Sequence, residues 1–181
     1  MLICLIPIGF EPQKEVEVFP PPYFTVVIFM ARTKFNVDKD TDRRTIDGIV
    51  FDSALELRYY RDVLLPLVES GEVVEYELQK PYELQPKFVH DGRTVQAIKY
   101  VADFYLRYCD GREEVVDIKG FADATALLKR KMFWYTFPEL NYYWLCYSAA
   151  DSGWIKYEDL KKARAARKKA KRTNKEPKEE N

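Results

Sequence analysis

Glu113-Glu114-Val115-Val116-Asp117-Ile118-Lys119-Gly120 is the stretch on which the fold turns. Its Val and Ile residues favour a pleated backbone, and a glycine closes the run, so it reads as a strand. Side chains alternate faces along a strand. Asp117 and Lys119 therefore share one face, and Ile118 points to the other, into a core. Fourteen positions upstream (117 minus 103), Asp103 ends the apolar run Ile98-Lys99-Tyr100-Val101-Ala102. Cys109-Asp110-Gly111-Arg112 between them carries an Asp-Gly turn signal. Phe88 to Arg93 reads as another hairpin turn, and Thr94 to Tyr108 as one long strand. These segments are predicted to form an antiparallel meander with Asp103 and Asp117 on neighbouring strands.

Asp47-Gly48 between β-formers predicts a further hairpin. A helix is expected from Ser53 toward Ser70-Gly71, with Pro66 weakening its last turn by removing a backbone donor. Val73 to Leu84 reads as one or two short strands interrupted at Pro81. A second helix is expected from about Asp123 to Tyr135. Ala124, Leu127, Leu128, Met132 and Tyr135 fall at helical spacing and are predicted to face the sheet, with Lys129 and Arg130 largely outside that stripe. Tyr142 to Tyr147 reads as a buried strand, and Tyr157 to Arg172 as a basic helix before a polar end.

Three acids and a lysine stand out. Glu56 lies three residues after Ser53, the spacing of a capping box, which accounts for it without chemistry. It also lies on the stripe Tyr60, Val63, Leu67, the expected core side, where a carboxylate needs a partner or a metal. Asp103 and the Asp117–Lys119 pair each admit a bland reading as strand-end charges in weak surface ion pairs. Together they suit metal-dependent phosphodiester cleavage. Carboxylates hold Mg²⁺, and a lysine neutralises charge that develops on phosphate. The expected metal ligands are Asp103, Asp117 and the Ile118 carbonyl, with Glu56 directly or through water; Lys119 is the expected catalytic cation.

Composition narrows the setting. A chain of 181 residues that is 47% hydrophobic can bury a full core. The formal net charge is +0, yet Lys156 to Lys175 holds ten Lys or Arg against Glu158 and Asp159, about +8. That segment reads either as a solvated helix face or as a phosphate-binding arm. Its candidate contacts are Lys161, Lys162, Arg164, Arg167, Lys168 and Lys169, joined by Lys129 and Arg130 on the preceding helix. Cys4, Cys109 and Cys146 are scattered, which argues against a disulfide framework and for a reducing, cytoplasmic setting. The single histidine, His90, disfavours a His-rich zinc site. No glycine loop of the nucleotide-binding kinds is present, and Met1 to Phe10 is too short an apolar run to span a bilayer.

The first 29 residues read as an extension, with Pro20-Pro21-Pro22 breaking the chain and Met30 a plausible natural start; an extra edge strand at Tyr23 to Phe29 is the alternative. The expected organisation is an extension over 1–29, a domain over 30–150, and a basic helix with a disordered tail over 151–181.

The order helix Glu56, strand Asp103, then Asp117-Ile118-Lys119 resembles the PD-(D/E)XK nuclease superfamily. More narrowly, the chain resembles a phage-encoded family of unknown function placed in that superfamily. The likeness rests on Ile46 to Ser53 leading to Glu56, on Glu83 to Phe88, and on Ile98 to Phe104. Asp117 to Gly120 and Lys131 to Pro138 complete it, covering roughly residues 32 to 148. Ala102 stands where the naming proline of the motif would be. The resemblance implies an α/β fold with a restriction-endonuclease-like core: a mixed, mainly antiparallel sheet flanked by helices. It implies a Mg²⁺-dependent DNA endonuclease, with Mn²⁺ able to substitute, that serves phage replication, recombination or packaging in a bacterial host's cytoplasm. DNA is the implied partner, no membrane is, and a homodimer stays open. A non-catalytic nucleic-acid-binding module on the same fold is the alternative.

Overall fold

The computed structural model describes residues 41–173. The expectations for residues 1–29, the start at Met30, Cys4 and the final residues 174–181 lie outside the described part. Each Asp-Gly signal marks a turn. Asp47 and Gly48 both take positive φ, 54° and 74°, as a two-residue hairpin of this hand requires. They join β1 (Thr45–Ile46) to β2 (Ile49–Val50). Asp91 and Gly92 do the same between β4 (Phe88–His90) and β5 (Arg93–Val95).

The first helix, α1 (Ala54–Tyr59), starts at Ser53, passes through a π-helical turn at Tyr60–Leu64, and continues as α2 (Leu65–Glu69). Pro66 explains the widened turn: its ring would clash with the carbonyl four residues back in a regular helix. The proline therefore acts upstream of itself rather than weakening the last turn.

The main sheet has five strands in the order β3-β6-β7-β8-β9. They are β3 (Val73–Gln85), β6 (Ile98–Tyr108), β7 (Glu113–Ile118), β8 (Asn141–Ser148) and β9 (Gly153–Lys156). All neighbours pair antiparallel except β7 and β8, which run parallel across the crossover helix α3 (Ala124–Thr136). The architecture is thus mixed α/β with a mainly antiparallel sheet. β3 is continuous through Pro81, which pairs with Val101. An edge strand tolerates proline because its missing donor can face away from the ladder. The expected long strand from Thr94 is divided, since β5 belongs to the small hairpin and β6 starts at Ile98. β9 extends the sheet past residue 150, and α4 (Tyr157–Thr173) follows it directly.

Two apolar clusters sit on opposite faces of the sheet. Tyr59, Tyr60 and Leu64 from the first helix pack with Phe104, Leu106, Val116 and Ile118. On the other face Phe133 of α3 packs with Tyr100, Val115, Tyr142 and Trp144. The face of α3 differs from expectation. Phe133 and Arg130 are buried, whereas Leu127, Leu128, Trp134 and Tyr135 are exposed. Among the described residues no helix is long and apolar enough to cross a membrane.

Candidate functional site

The pairing of β6 with β7 runs from Arg107↔Glu113 to Phe104↔Val116 and stops there. One step further on the same register sets Asp103 opposite Asp117. Beyond that point the strands part: β6 continues against β3 as far as Ile98, and β7 continues against β8 to Ile118↔Leu145. The two acids therefore stand at a fork in the sheet. Both are buried, Asp103 at 1% exposure and Asp117 at 0%.

The fork leaves a backbone donor without a ladder partner, and Asp103 supplies one. Its Oδ2 accepts from the Ile118 N–H at 2.7 Å. A buried N–H that lost this acceptor would carry its full desolvation cost. Gln79 Nε2 lies 3.5 Å from Asp103 Oδ1, at the long limit of a hydrogen bond. Gln79 itself adopts a positive φ of 55°, a local irregularity in β3 opposite the acid. Asp117 forms an ion pair with the Lys119 ammonium, which is 13% exposed. A charge so deeply buried demands compensation of this kind. The Lys119 N–H donates to the Leu145 carbonyl at 2.7 Å, which fixes the residue beyond the end of β7.

An aromatic polar cluster borders Asp117. The Tyr142 hydroxyl donates to the Tyr100 hydroxyl at 2.5 Å. Trp144 Nε1 donates to Tyr100 at 3.3 Å and also to Tyr142. Burial first, then the Asp117 charge, push the Tyr100 hydroxyl far above the ordinary phenol range, and Asp103 adds to the effect. Burial and Asp117 likewise raise Tyr142. Both tyrosines therefore stay protonated and can act only as neutral donors and acceptors. The sequence marks Tyr142 and Trp144 only as part of a buried strand. The parallel register Asp117↔Trp144 is what brings them to the acid.

Glu56 occupies a different setting. Ser53 Oγ accepts from the Glu56 N–H at 3.1 Å and donates to Glu56 Oε1 at 2.8 Å. The capping box is thus present, with the serine hydroxyl taking the place of the cap N–H as partner of the carboxylate. Glu56 is buried. Among the described residues, no three His, Cys, Asp or Glu side chains form a group that could hold a metal ion. The structure brings Asp103, Asp117 and Lys119 together and does not join Glu56 to them as a three-carboxylate cluster.

The expected DNA contacts divide. Arg130 is buried at 4% exposure, paired with Glu158 and stacked 4.3 Å from the ring centroids of both Trp134 and Trp144. It is a structural cation and not an exposed phosphate contact, because α3 turns this side toward the sheet. Lys129 Nζ donates to the Lys99 carbonyl at 2.9 Å, tying α3 to β6. Arg167 makes two hydrogen bonds to Asp151, at 2.6 and 3.0 Å. Lys162 pairs with Asp159 at 3.0 Å, and Lys161 lies 5.5 Å from the Tyr157 ring centroid. Arg164, Lys168 and Lys169 are exposed on α4. A shallow hollow along that helix is lined by Arg164, Arg167, Lys168, Lys171 and Arg172. Buried Leu160 anchors the start of α4, and its later turns are exposed.

A family model described as "Protein of unknown function (DUF1064)" matches residues 32–153. No curated protein and no solved structure matches the chain.

Proposed function

We propose, for a chain that belongs to the DUF1064 family of proteins of unknown function, that it is a Mg²⁺-dependent endodeoxyribonuclease with a restriction-endonuclease-like core. One observation carries this reading: Asp103 and Asp117 stand buried at the fork where β6 and β7 part, Asp103 on the Ile118 N–H and Lys119 on Asp117. Buried like charges are expensive, and a fold keeps them where a cation or chemistry uses them. The donor set suits Mg²⁺, which needs only one or two carboxylates because it retains waters. Asp103, Asp117 and the Ile118 carbonyl would hold it; Mn²⁺ is accommodated by the same oxygen donors. When bound, the ion supplies Lewis acidity to water and to a phosphoryl oxygen.

The chain's own residues do the rest. Lys119 compensates the buried Asp117 charge and, being partly exposed, presents a fixed positive charge where phosphate oxygens gain negative charge. The hydroxyls of Tyr100 and Tyr142 hold the wall beside Asp117 in a neutral, hydrogen-bonded state. Arg164, Lys168, Lys171 and Arg172 on α4 offer a run of phosphate contacts that needs no base recognition. A duplex backbone is the partner that such a run fits.

A second reading, a non-catalytic nucleic-acid-binding module, is favoured by the absence of a three-carboxylate group among the described residues. Nicking of supercoiled plasmid separates the two. The nuclease reading predicts Mg²⁺-dependent nicking that EDTA stops and Lys119→Ala abolishes while DNA affinity largely remains. Undiminished cleavage by that variant removes the lysine from the mechanism.

A further inference from the structure

The outer face of α3 is apolar where it meets solvent. At 100° per residue, Trp134, Leu127, Lys131, Tyr135 and Leu128 fall on one arc of about 120°. Tyr135 is 89% exposed and Leu128 59%, and Phe121, just before the helix, is 83% exposed. An apolar stripe this wide ordinarily faces a core. Here Phe133, on the opposite side, takes the sheet, and buried Arg130 lies at the arc's edge against Trp134. Contiguous exposed apolar surface of this kind marks a binding site.

We propose that this face, together with Phe121, binds the unpaired bases of single-stranded DNA by stacking. The proposal rests on the nucleic-acid reading of the site and names a substrate feature for it. Three observations choose this occupant. First, aromatic rings dominate the exposed surface, and every base offers a π-face to them. Second, the helix carries Lys129 and the exposed Lys131 and no acid from Ala124 to Thr136, a charge that complements phosphate. Third, Phe121 is two residues from Lys119, so the chain keeps its Cα within about 7 Å of that of the lysine on Asp117.

Another occupant fits less well. A second copy packed on this face by twofold symmetry would bring Lys131 into an apolar contact with no carboxylate on the arc to receive it.

The test is fluorescence anisotropy of the full chain in EDTA, where no cleavage occurs, with labelled oligothymidylate and with a duplex of equal length. Phe121→Ala and Tyr135→Ala are expected to weaken oligothymidylate binding by about 5- to 100-fold each. They should change duplex binding by less than about twofold and leave the salt slope unchanged, because no phosphate contact is lost. Tyr135→Trp keeps a stacking ring and should retain wild-type affinity. Equal affinity of the alanine variants and the wild type for oligothymidylate overturns the proposal. So does sedimentation that shows a wild-type dimer dissociated by Tyr135→Ala, which would make the face a subunit interface. Plasmid nicking scored in parallel with Mg²⁺ keeps the two readings apart. Ring-dependent oligothymidylate binding without nicking overturns the nuclease alone, and nicking with ring-independent binding overturns the stacking face alone.

Discussion

Replacing Asp103 separates what the fork needs for stability from what it needs for chemistry. In Asp103→Ala the Ile118 N–H loses its 2.7 Å acceptor in a buried position. An unsatisfied buried donor costs about 1–3 kcal/mol. Asp103→Asn keeps an oxygen acceptor of the same reach. Either replacement also removes a like charge: opposed residues on neighbouring strands have Cβ atoms about 5 Å apart, and at an effective dielectric of about 20 two charges at that separation repel by about 3 kcal/mol. Lys119 on Asp117 already offsets much of that repulsion, and a neutral acceptor is weaker than a charged one by about 1 kcal/mol. The asparagine variant should therefore stay within about 1 kcal/mol of wild type, while alanine loses about 2. For a chain of this size about 1 kcal/mol shifts Tm by about 2–4 °C. Alanine should lower Tm by about 4–8 °C and asparagine by no more than about 4 °C, read by circular dichroism. Both variants should fail to nick plasmid. If asparagine destabilises as much as alanine, the hydrogen bond to Ile118 is not what the side chain contributes. If the asparagine variant cleaves at the wild-type rate, Asp103 has no part in the chemistry.

Arg130→Ala should cost about 1–3 kcal/mol in urea unfolding, because it removes packing between Trp134 and Trp144 and a pair whose other member is half exposed. The folded variant should bind DNA as wild type does. A chain ended after Arg164 keeps the Leu160 anchor and should unfold cooperatively. It loses Arg167, Lys168, Lys169, Lys171 and Arg172 from the arm, so its salt slope for duplex binding should flatten by up to about 4.5; an unchanged slope would mean that the arm does not touch phosphate. The Arg167 guanidinium, followed by the Ser148 hydroxyl, holds Asp151 down at about 2. A depressed carboxylate contributes stability that is present above the ordinary carboxylate range and is lost as pH falls through about 2. Carboxyl NMR titration should show that low midpoint in wild type and a rise toward the ordinary range in Arg167→Ala.

Local signals in the sequence were readable because their physics is local. The Asp-Gly hairpins, the Ser53–Glu56 capping box and the start of α3 at Asp123, whose side chain accepts from Ala126, depend on a few neighbouring residues. The neighbourhood of Asp103 and Asp117 follows from one hairpin and an even register. What depends on distant partners was not readable. The apolar arc of α3 points outward because Arg130 finds Glu158, Trp134 and Trp144, and no sequence pattern announces those partners. Pro81 reads as a break until β3 is known to be an edge strand. Tyr100, Tyr142 and Trp144 gather at Asp117 only through the parallel pairing of β7 with β8, which α3 makes possible across 22 intervening residues (119 to 140). The capping-box reading of Glu56 is supported by its contacts with Ser53, and a metal role for it is not supported by any three-acid group among the described residues.

The central claim is that the fork at Asp103 and Asp117 cleaves phosphodiester bonds with a divalent ion. Its most direct test is the nicking of supercoiled plasmid by the wild-type chain beside an Asp117→Asn variant purified in the same way. Nicking with Mg²⁺ or Mn²⁺ that disappears in EDTA and in the variant is the expected result. Intact plasmid under every metal condition, or equal nicking by the Asp117→Asn variant, would contradict it.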